Sequence, residues 1–482
     1  MIRTIALREI LEHLKSVRVS AIVLLVIAIV PLAVIVNHRA YQQRLDNFSR
    51  LSTGRRGGFS MTTSGTEGGY PAYRRPSELS ALVTGADPYM PAYWSFTSNG
   101  LQDGPPAATP RGLPELAGEI DLLFVVRVVI GLLAFLLAFD VVAGERESGT
   151  LKAVLAHSVP RAQLLLGKIA GGSATLLMAV LLAFVLAMLT LQIVHVSLFT
   201  GRALVAVALF LAASALYAIA FFAIGTLVSC LTASSRTALV SLLVVWVVFV
   251  LVIPRLGTVA AQAIRPVDSD QVLGIRLREA AKPFEDEQGR KLEELWTRMS
   301  GQPRGMINAS LVSVPVRLDY QNQSTQIIED INRRHRDVIN GILRDHERAV
   351  ESQQALARTL SRLSPAAALG LAAADLAGTG DGIRGEWLRQ LHTKQQLLES
   401  QLFDLHFGMT IRSGGSASMM QGDNVPGARR PPPDSTLSRF TFQPPAVASV
   451  VAGTAPDFIV LLAYVGLPML FAFFAFLRYD VR

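Results

Sequence analysis

Six runs of apolar residues, separated by polar stretches, form the main pattern of the chain. The runs are residues 17–36, 122–143, 173–194, 203–229, 237–253 and 458–477. A helix needs about 20 mostly apolar residues to cross the hydrocarbon core of a bilayer. Each run therefore predicts a transmembrane helix, and we number them span one to span six. The predicted fold class is an all-α polytopic membrane protein.

Residues 1–16 have a different pattern, in which apolar positions follow helical spacing and charged residues occupy the other faces. The apolar positions are Ile2, Ile5, Ala6, Ile10 and Leu14. This arrangement predicts an amphipathic helix lying in the membrane interface. A water-exposed extension of span one is the alternative.

Two long polar segments interrupt the series of spans. Residues 37–121 are rich in Gly, Ser, Thr, Pro and Tyr, which predicts a loop region. Residues 254–457 contain apolar positions at helical spacing, over residues 327–363 and again over 386–407, so we predict a mostly helical domain. Within it, residues 413–433 are predicted to be a flexible linker because Gly, Ser, Asn and Pro do not supply a packed core.

The basic residues near the ends of the spans predict the orientation. When the N-terminus is placed in the cytoplasm, the one short outer loop carries only Arg202. The cytoplasmic side then carries Arg3, Arg8, Lys15, Arg18, Arg146, Lys152, Arg161, Lys168, Arg236, Arg478 and Arg482. By the positive-inside rule, both termini are cytoplasmic, including the tail 478–482, and so is the segment 144–172. The two long segments are then extracytoplasmic.

Composition supports a membrane protein and argues against nucleic acid as a partner. Only 17% of residues are charged, against about 25% in typical soluble domains. The net charge of +8 would suggest nucleic acid for a soluble chain. Basic residues that flank spans instead contact anionic membrane lipid.

The sequence contains no motif for catalysis. There is no Gly-x-x-x-x-Gly-Lys-Ser/Thr phosphate loop, no His-Glu-x-x-His and no Gly-x-Ser-x-Gly. The eight histidines are scattered, and the single cysteine, Cys230, excludes a disulfide within one chain. We predict no catalytic residue, cofactor or metal site, and expect that this chain is not itself an enzyme.

Two ionisable residues, Arg127 and Asp140, lie inside the predicted span two. Such residues are costly in a membrane and often functional. Thirteen helical residues separate them by about 20 Å, so they cannot pair with each other. Each is close enough to a membrane interface for its side chain to be hydrated. For Asp140, a structural role at an inner gate is an equally favoured interpretation.

A charged segment joins spans two and three, Gly-Glu-Arg-Glu-Ser-Gly-Thr-Leu-Lys at residues 144–152, which we call the elbow segment. Gly144 can end the helix of span two. Ser148 or Thr150 can then cap a short helix over residues 151–157, which Pro160 ends. Such a helix would move with the spans on either side of it, whereas a plain loop is the alternative.

Residues 139–152, His157-Ser158-Val159-Pro160-Arg161 and Leu166-Gly167-Lys168 together resemble ABC-2 type transporter permeases. The resemblance is closest to the subgroup related to the nitrous-oxide-reductase copper-maturation permease. That family has a Glu-Arg-Glu-x-Gly-Thr-Leu segment, a Pro-x-Ser-Arg segment and a Gly-Lys before the next span. The present chain lacks the residue that usually stands between Pro and Arg.

The resemblance implies a permease in the bacterial inner membrane that works as a homodimer or heterodimer. A separate cytoplasmic ABC ATPase would bind ATP and Mg²⁺ and dock on the elbow segment. The implied contact residues are Glu145, Arg146, Glu147, Ser148, Gly149, Thr150, Leu151 and Val154. ATP hydrolysis would then drive transport or a conformational signal, and an extracytoplasmic partner is compatible with the long outer segments. The alternative function is a membrane-anchored binding or scaffold protein without transport.

Overall fold

The computed structural model describes residues 2–54, 60–61, 68–97, 100–103, 120–151, 160–194, 201–301, 303, 314–406 and 442–478. In these ranges six helices are long and apolar enough to cross a membrane: Val17–Ser52, Leu122–Glu147, Arg161–Ile193, Gly201–Leu231, Ser235–Ile264 and Val447–Leu477. They correspond to spans one to six. The predicted fold class, an all-α polytopic membrane protein, is confirmed, with one small sheet added to it.

The elements follow one another as α1 (Ile2–Lys15), α2 (Val17–Gly54), β1 (Ser60–Met61), β2 (Gly68–Tyr73), β3 (Tyr93–Thr97), β4 (Gly100–Asp103), α3 (Leu122–Phe124), α4 (Gly131–Ala138), α5 (Ala143–Glu147), α6 (Arg161–Ile193), α7 (Gly201–Leu231), α8 (Ser235–Val247), α9 (Ile253–Ile264), α10 (Asp270–Ser300), α11 (Val314–Ser361), α12 (Pro365–Ala377), α13 (Asp381–His406) and α14 (Val447–Leu477). Turns of π-helix, Val125–Ile130 and Val248–Val252, join α3 to α4 and α8 to α9. Short 3₁₀ helices lie at Glu78–Ala81 and Asp87–Tyr89. We call the end of the bundle that carries α1 and the elbow segment the elbow end, and the other end the distal end.

Helix α2 extends beyond the apolar run of predicted span one. It continues to Gly54 instead of ending at residue 36, and its 38 residues correspond to a length of about 57 Å. Hydropathy marks where the apolar run stops, but the polar residues that follow are compatible with helix. The region 37–121, predicted as loop, therefore starts with helix and continues into the antiparallel sheet β1-β2-β3-β4.

Other helices also extend beyond the predicted apolar runs. Span three begins at Arg161 instead of residue 173, so the predicted connecting segment 144–172 is partly helical. Span five continues through α9 to Ile264, and span six begins at Val447 instead of residue 458. Helix α13 closely matches the predicted stretch 386–407, whereas the linker 413–433 lies outside the described residues.

A buried ion cluster holds the distal part of α2 to the chain that follows it. The Asp87 carboxylate is fully buried and contacts Arg44 Nε at 3.3 Å and Arg74 Nη1 at 2.6 Å. The indole rings of Trp94 and Trp387 pack at 4.6 Å, joining this region to α13. We call residues 68–97 and 377–391 together the distal unit.

Helices α10 and α11 form a long antiparallel hairpin at the distal end. Arg334 of α11 makes two hydrogen bonds with the Glu287 carboxylate of α10, at 3.1 and 2.8 Å. The rings of Trp296 and Tyr320 meet edge to face at 5.1 Å nearer the tip. The 48 residues of α11 correspond to about 72 Å of helix.

The chain turns sharply after α11 and re-enters the bundle as α12. Ser364 caps α12 by accepting hydrogen bonds from Ala366 N and Ala367 N, and its hydroxyl also donates to Phe249 O in span five. Tyr464 of span six donates to Leu363 O at 2.6 Å. Most residues of α12 are buried, because it packs among spans two, four, five and six.

Candidate functional site

Span two is broken just before the elbow segment, and a serine of span four stabilises the break. The helix ends at Ala138 and resumes at Ala143. The Ser229 hydroxyl accepts from Val142 N at 3.1 Å and Ala143 N at 3.0 Å, and donates to Phe139 O at 2.9 Å. One buried side chain thus satisfies three backbone groups that a continuous helix would have paired internally.

Replacing Ser229 with alanine is expected to destabilise this break by about 1–3 kcal/mol, because buried backbone donors lose their acceptor. Ser214→Ala is the matched control, since Ser214 lies in the same helix and donates only to Phe210 O of its own turn. The transition temperature of each variant is measured by thermal unfolding in detergent, with the accessibility of the Cys230 thiol as the signal. Equal transition temperatures for the two variants would show that the Ser229 contacts do not hold the break.

The break also changes the role predicted for Gly144. This glycine lies inside the short helix α5 and does not end span two. The helix ends instead at Ser148 and Gly149, where Gly149 has a φ of +76°. Glycine is favoured there because it adopts the left-handed region without a Cβ penalty. The predicted short helix 151–157 lies largely outside the described residues, and Val154 with it.

Glu145 binds a buried lysine of span three. Lys168 Nζ lies 2.8 Å from Glu145 Oε1 and 2.6 Å from Glu9 Oε1 of α1. The Lys168 side chain is only 6% exposed, so these ion pairs are shielded from bulk water. His13 lies beside Glu9, and burial lowers the pKa of His13, which leaves it neutral at pH 7.

Arg146 contacts the end of span four, and Glu147 contacts the start of span five. The Arg146 guanidinium donates to Thr232 O at 2.8 Å and to Cys230 O at 3.3 Å, at the C-terminal end of span four. Glu147 Oε2 accepts from Ser235 N at 3.0 Å, at the first residue of span five. Each charge matches the helix dipole, because cations favour C-terminal ends and anions favour N-terminal ends.

The three charged residues predicted to contact an ATPase therefore have partners within their own chain. Leu151 is likewise buried, with 1% of its surface exposed, and packs in the main core. Ser148, Gly149 and Thr150 remain exposed, and the hydroxyls of Ser148 and Thr150 lie 2.8 Å apart. Glu147 is exposed as well, but its carboxylate is bonded to span five. We call Ser148, Gly149 and Thr150 the elbow tip, because the hydroxyls of Ser148 and Thr150 bond within the elbow segment itself.

Asp140 has a partner in span one that the sequence did not predict. Arg18 Nη1 lies 3.1 Å from Asp140 Oδ2, and the Arg18 guanidinium stands 5.0 Å from the centre of the Phe139 ring. Both charged side chains are partly exposed, 54% for Arg18 and 39% for Asp140. The pair links spans one and two at the elbow end, close to the break.

Arg127 lies on the π-helical turn of span two, near the distal end. Tyr217 of span four donates to Arg127 O at 2.6 Å. The guanidinium makes no ion pair or hydrogen bond with any residue that the structure describes. Asp121 is the nearby carboxyl; it accepts from Thr84 N and Phe124 N. Burial raises the pKa of Asp121 to about 6, and those two donors and Arg127 oppose the increase.

Within the described ranges, no group of three His, Cys, Asp or Glu side chains is arranged to hold a metal ion. The contacts at the elbow end are hydrogen bonds and ion pairs between helices. Such an arrangement can transmit a displacement from the elbow segment to several spans.

Comparison with known proteins identifies the family. The family model described as ABC-2 family transporter protein matches residues 3–481, nearly the whole chain. The chain belongs to this ABC-2 family. The resemblance predicted from the elbow segment and the Gly167-Lys168 pair is thereby confirmed.

Two curated relatives show local similarity. A probable ABC transporter permease protein NosY of Stutzerimonas stutzeri is 36% identical over 121 residues, 25% of this chain and 44% of the relative. A protein of the same name from Pseudomonas aeruginosa is 34% identical over 120 residues, with the same coverage of 25% and 44%. The chain thus matches less than half the length of these curated relatives.

Proposed function

We propose that this ABC-2 family member is the membrane permease subunit of an ABC transporter and that a separate ATPase docks on the elbow tip. One observation carries the proposal: the elbow tip is exposed, while the charged residues before it are bonded to spans three, four and five and, through Lys168, to α1. A force applied to the tip would reach all four helices through short polar contacts.

The contacts of the elbow segment explain why a small displacement would be transmitted. The Ser229 break separates α5 from the rest of span two, so α5 can rotate without bending a continuous helix. Arg146 and Glu147 then connect α5 to the adjacent ends of spans four and five. In our proposal these charges transmit motion within the permease, and docking depends on the exposed tip.

The proposal includes an orientation and a partner set. The elbow end faces the cytoplasm of a bacterial cell, both termini lie there, and the distal unit and the α10–α11 hairpin are extracytoplasmic. Concentration of lysine and arginine at the elbow end supports this orientation. The chain works as a dimer with itself or a sister permease, and the partner ATPase binds ATP and Mg²⁺.

A membrane-anchored scaffold is the second candidate, favoured by the size of the α10–α11 hairpin at the distal end. A scaffold needs only a stable anchor. It gives no reason for a helix break beside an exposed tip whose neighbouring residues contact four helices. The two candidates differ in whether an ATPase binds the elbow end.

Coexpression with the ATPase of its genomic neighbourhood tests the proposed function. Thr150→Arg places a bulky cation on the elbow tip, and is expected to weaken ATPase binding by about tenfold or more, as for a central contact of an interface. Thr258→Arg is the matched control, an exposed threonine at the distal end. Affinity in detergent and ATP turnover of the complex are measured for both.

If the ATPase bound wild type and Thr150→Arg with equal affinity, the elbow tip would not be the docking surface. Failure of any ATPase to bind the wild-type chain would reject the permease proposal and support the scaffold. A loss in both variants would indicate general damage to the fold, so only the difference between the two threonines supports the proposal.

A further inference from the structure

A single buried cation joins the N-terminal helix to the elbow segment. Lys168 Nζ contacts Glu9 of α1 and Glu145 of α5 at 2.6 and 2.8 Å. One ammonium therefore holds together two helices that are more than a hundred positions apart in the chain.

Two glycines of span three let α1 lie close enough for this contact. A Cβ at Gly167 would stand 2.7 Å from Ile5 Cγ2, and one at Gly171 would stand 2.6 Å from Glu9 Cβ. Distances this short require a shift of α1, so side chains at either position would push α1 away. Gly167 and Lys168 thus act together: the glycine provides the close approach and the lysine supplies the charge.

Helix α1 is also connected directly to span one. Only Ser16 separates α1 from α2, and backbone hydrogen bonds continue across it, from Ser16 N to His13 O and from Ser20 N to Ser16 O. A displacement of α1 is consequently passed to span one. Its outer face carries exposed Leu7, Leu11 and Leu14, which offer little resistance to sliding in a membrane interface.

We propose that Lys168 is a positioning residue that makes α1, and through it span one, move with the elbow segment. The inference rests on the proposed function, because the ATPase supplies the displacement. Two connections of the elbow segment can then be tested against each other: Glu147 leads to span five, and Glu145 leads through Lys168 to α1. Without the ammonium, Glu9 and Glu145 are two neighbouring carboxylates that repel each other. The contact between α1 and the elbow segment is then lost.

Distances between spin labels can measure the displacement of α1 and the displacement of span five separately. The labels replace Leu7 on α1 or Arg236 on span five, each paired with a reference label at Thr258, in a Cys230→Ala background. All three positions are exposed. In the wild-type complex with its ATPase, addition of a non-hydrolysable ATP analogue is expected to shift both distance distributions.

Glu9→Ala and Lys168→Gln are each expected to abolish the shift at Leu7 and to preserve the shift at Arg236. Glu12→Ala is the matched control, because Glu12 lies on the exposed side of α1 and pairs only with Arg8 among the ion pairs of the described chain. The control should keep both shifts. The mirrored variant Glu9→Lys/Glu145→Lys/Lys168→Glu, with all three charges reversed, should restore the shift at Leu7.

A shift at Leu7 that persists in both Glu9→Ala and Lys168→Gln would overturn the role of Lys168. Failure of the proposed function gives a different result, since neither label pair would then respond in the wild-type chain. Because Glu9→Ala removes only the α1 side of the contact, the test remains decisive even where Lys168→Gln does not fold.

Discussion

Asp87→Asn is expected to lower the free energy of unfolding of the distal unit by about 3–5 kcal/mol, because it removes the negative charge that two buried guanidinium groups contact. Asp87 is 0% exposed, and the side chains of Arg44 and Arg74 are each 4% exposed. Water cannot readily hydrate these charges in the folded state. Asparagine has nearly the same shape as aspartate. The loss of unfolding free energy is therefore caused by the missing charge and not by altered packing.

Tryptophan fluorescence can follow unfolding of the distal unit directly. Trp94 and Trp387 pack together inside it, and the other two tryptophans, Trp246 and Trp296, are replaced by phenylalanine to isolate their signal. Glu78→Gln serves as the control, because Glu78 pairs with Arg75 at an exposed position. Surface pairs contribute about 0–1 kcal/mol. Similar losses for Asp87→Asn and Glu78→Gln would contradict the burial of the cluster.

Arg362→Met is expected to lower the free energy of unfolding by a similar amount, about 3–5 kcal/mol, because here a buried carboxylate loses its cation. Arg362 makes a bidentate pair with Asp457 of span six, with distances of 2.7 and 3.1 Å. The Asp457 side chain is 0% exposed and would keep an uncompensated negative charge. The transition temperature in detergent and the yield of monodisperse protein both measure the loss.

The double variant Arg362→Met/Asp457→Leu distinguishes a charge effect from a packing effect. Replacing both members of a buried ion pair by apolar groups is often nearly neutral. The double variant should therefore be markedly more stable than Arg362→Met alone. A double variant as unstable as the single one would mean that Arg362 contributes through packing at the base of the α10–α11 hairpin.

The sequence predicted the number and position of the spans well, but not the ends of the helices. Apolar runs report contact with lipid, and they stop where the chain leaves the hydrocarbon. Helix α2 continues to Gly54 through polar residues such as Gln42 and Gln43, which helices accommodate readily. The distal sheet was missed because its strands are short and lie among glycine-rich residues.

At the elbow segment, the sequence identified the right residues but not their contacts. Glu145, Arg146 and Glu147 looked available for a partner because they are charged and lie between spans. Their partners, Lys168, the end of span four and the start of span five, are distant in the chain. Lys168 offered a signal, since a lysine so close to an apolar run needs a carboxylate nearby. No feature of the sequence distinguishes Ser229 from the other serines in the spans.

Helix α12 has a consequence for the route of any solute. Its alanines and leucines fill the space among spans two, four, five and six in the distal half of the bundle, and most of them are buried. The space among these four spans is therefore occupied by protein. In the proposed permease, a solute would have to pass outside this group of four spans. Otherwise α12 would have to leave the group, which requires release of the bonds from Ser364 to span five and from Arg362 to span six.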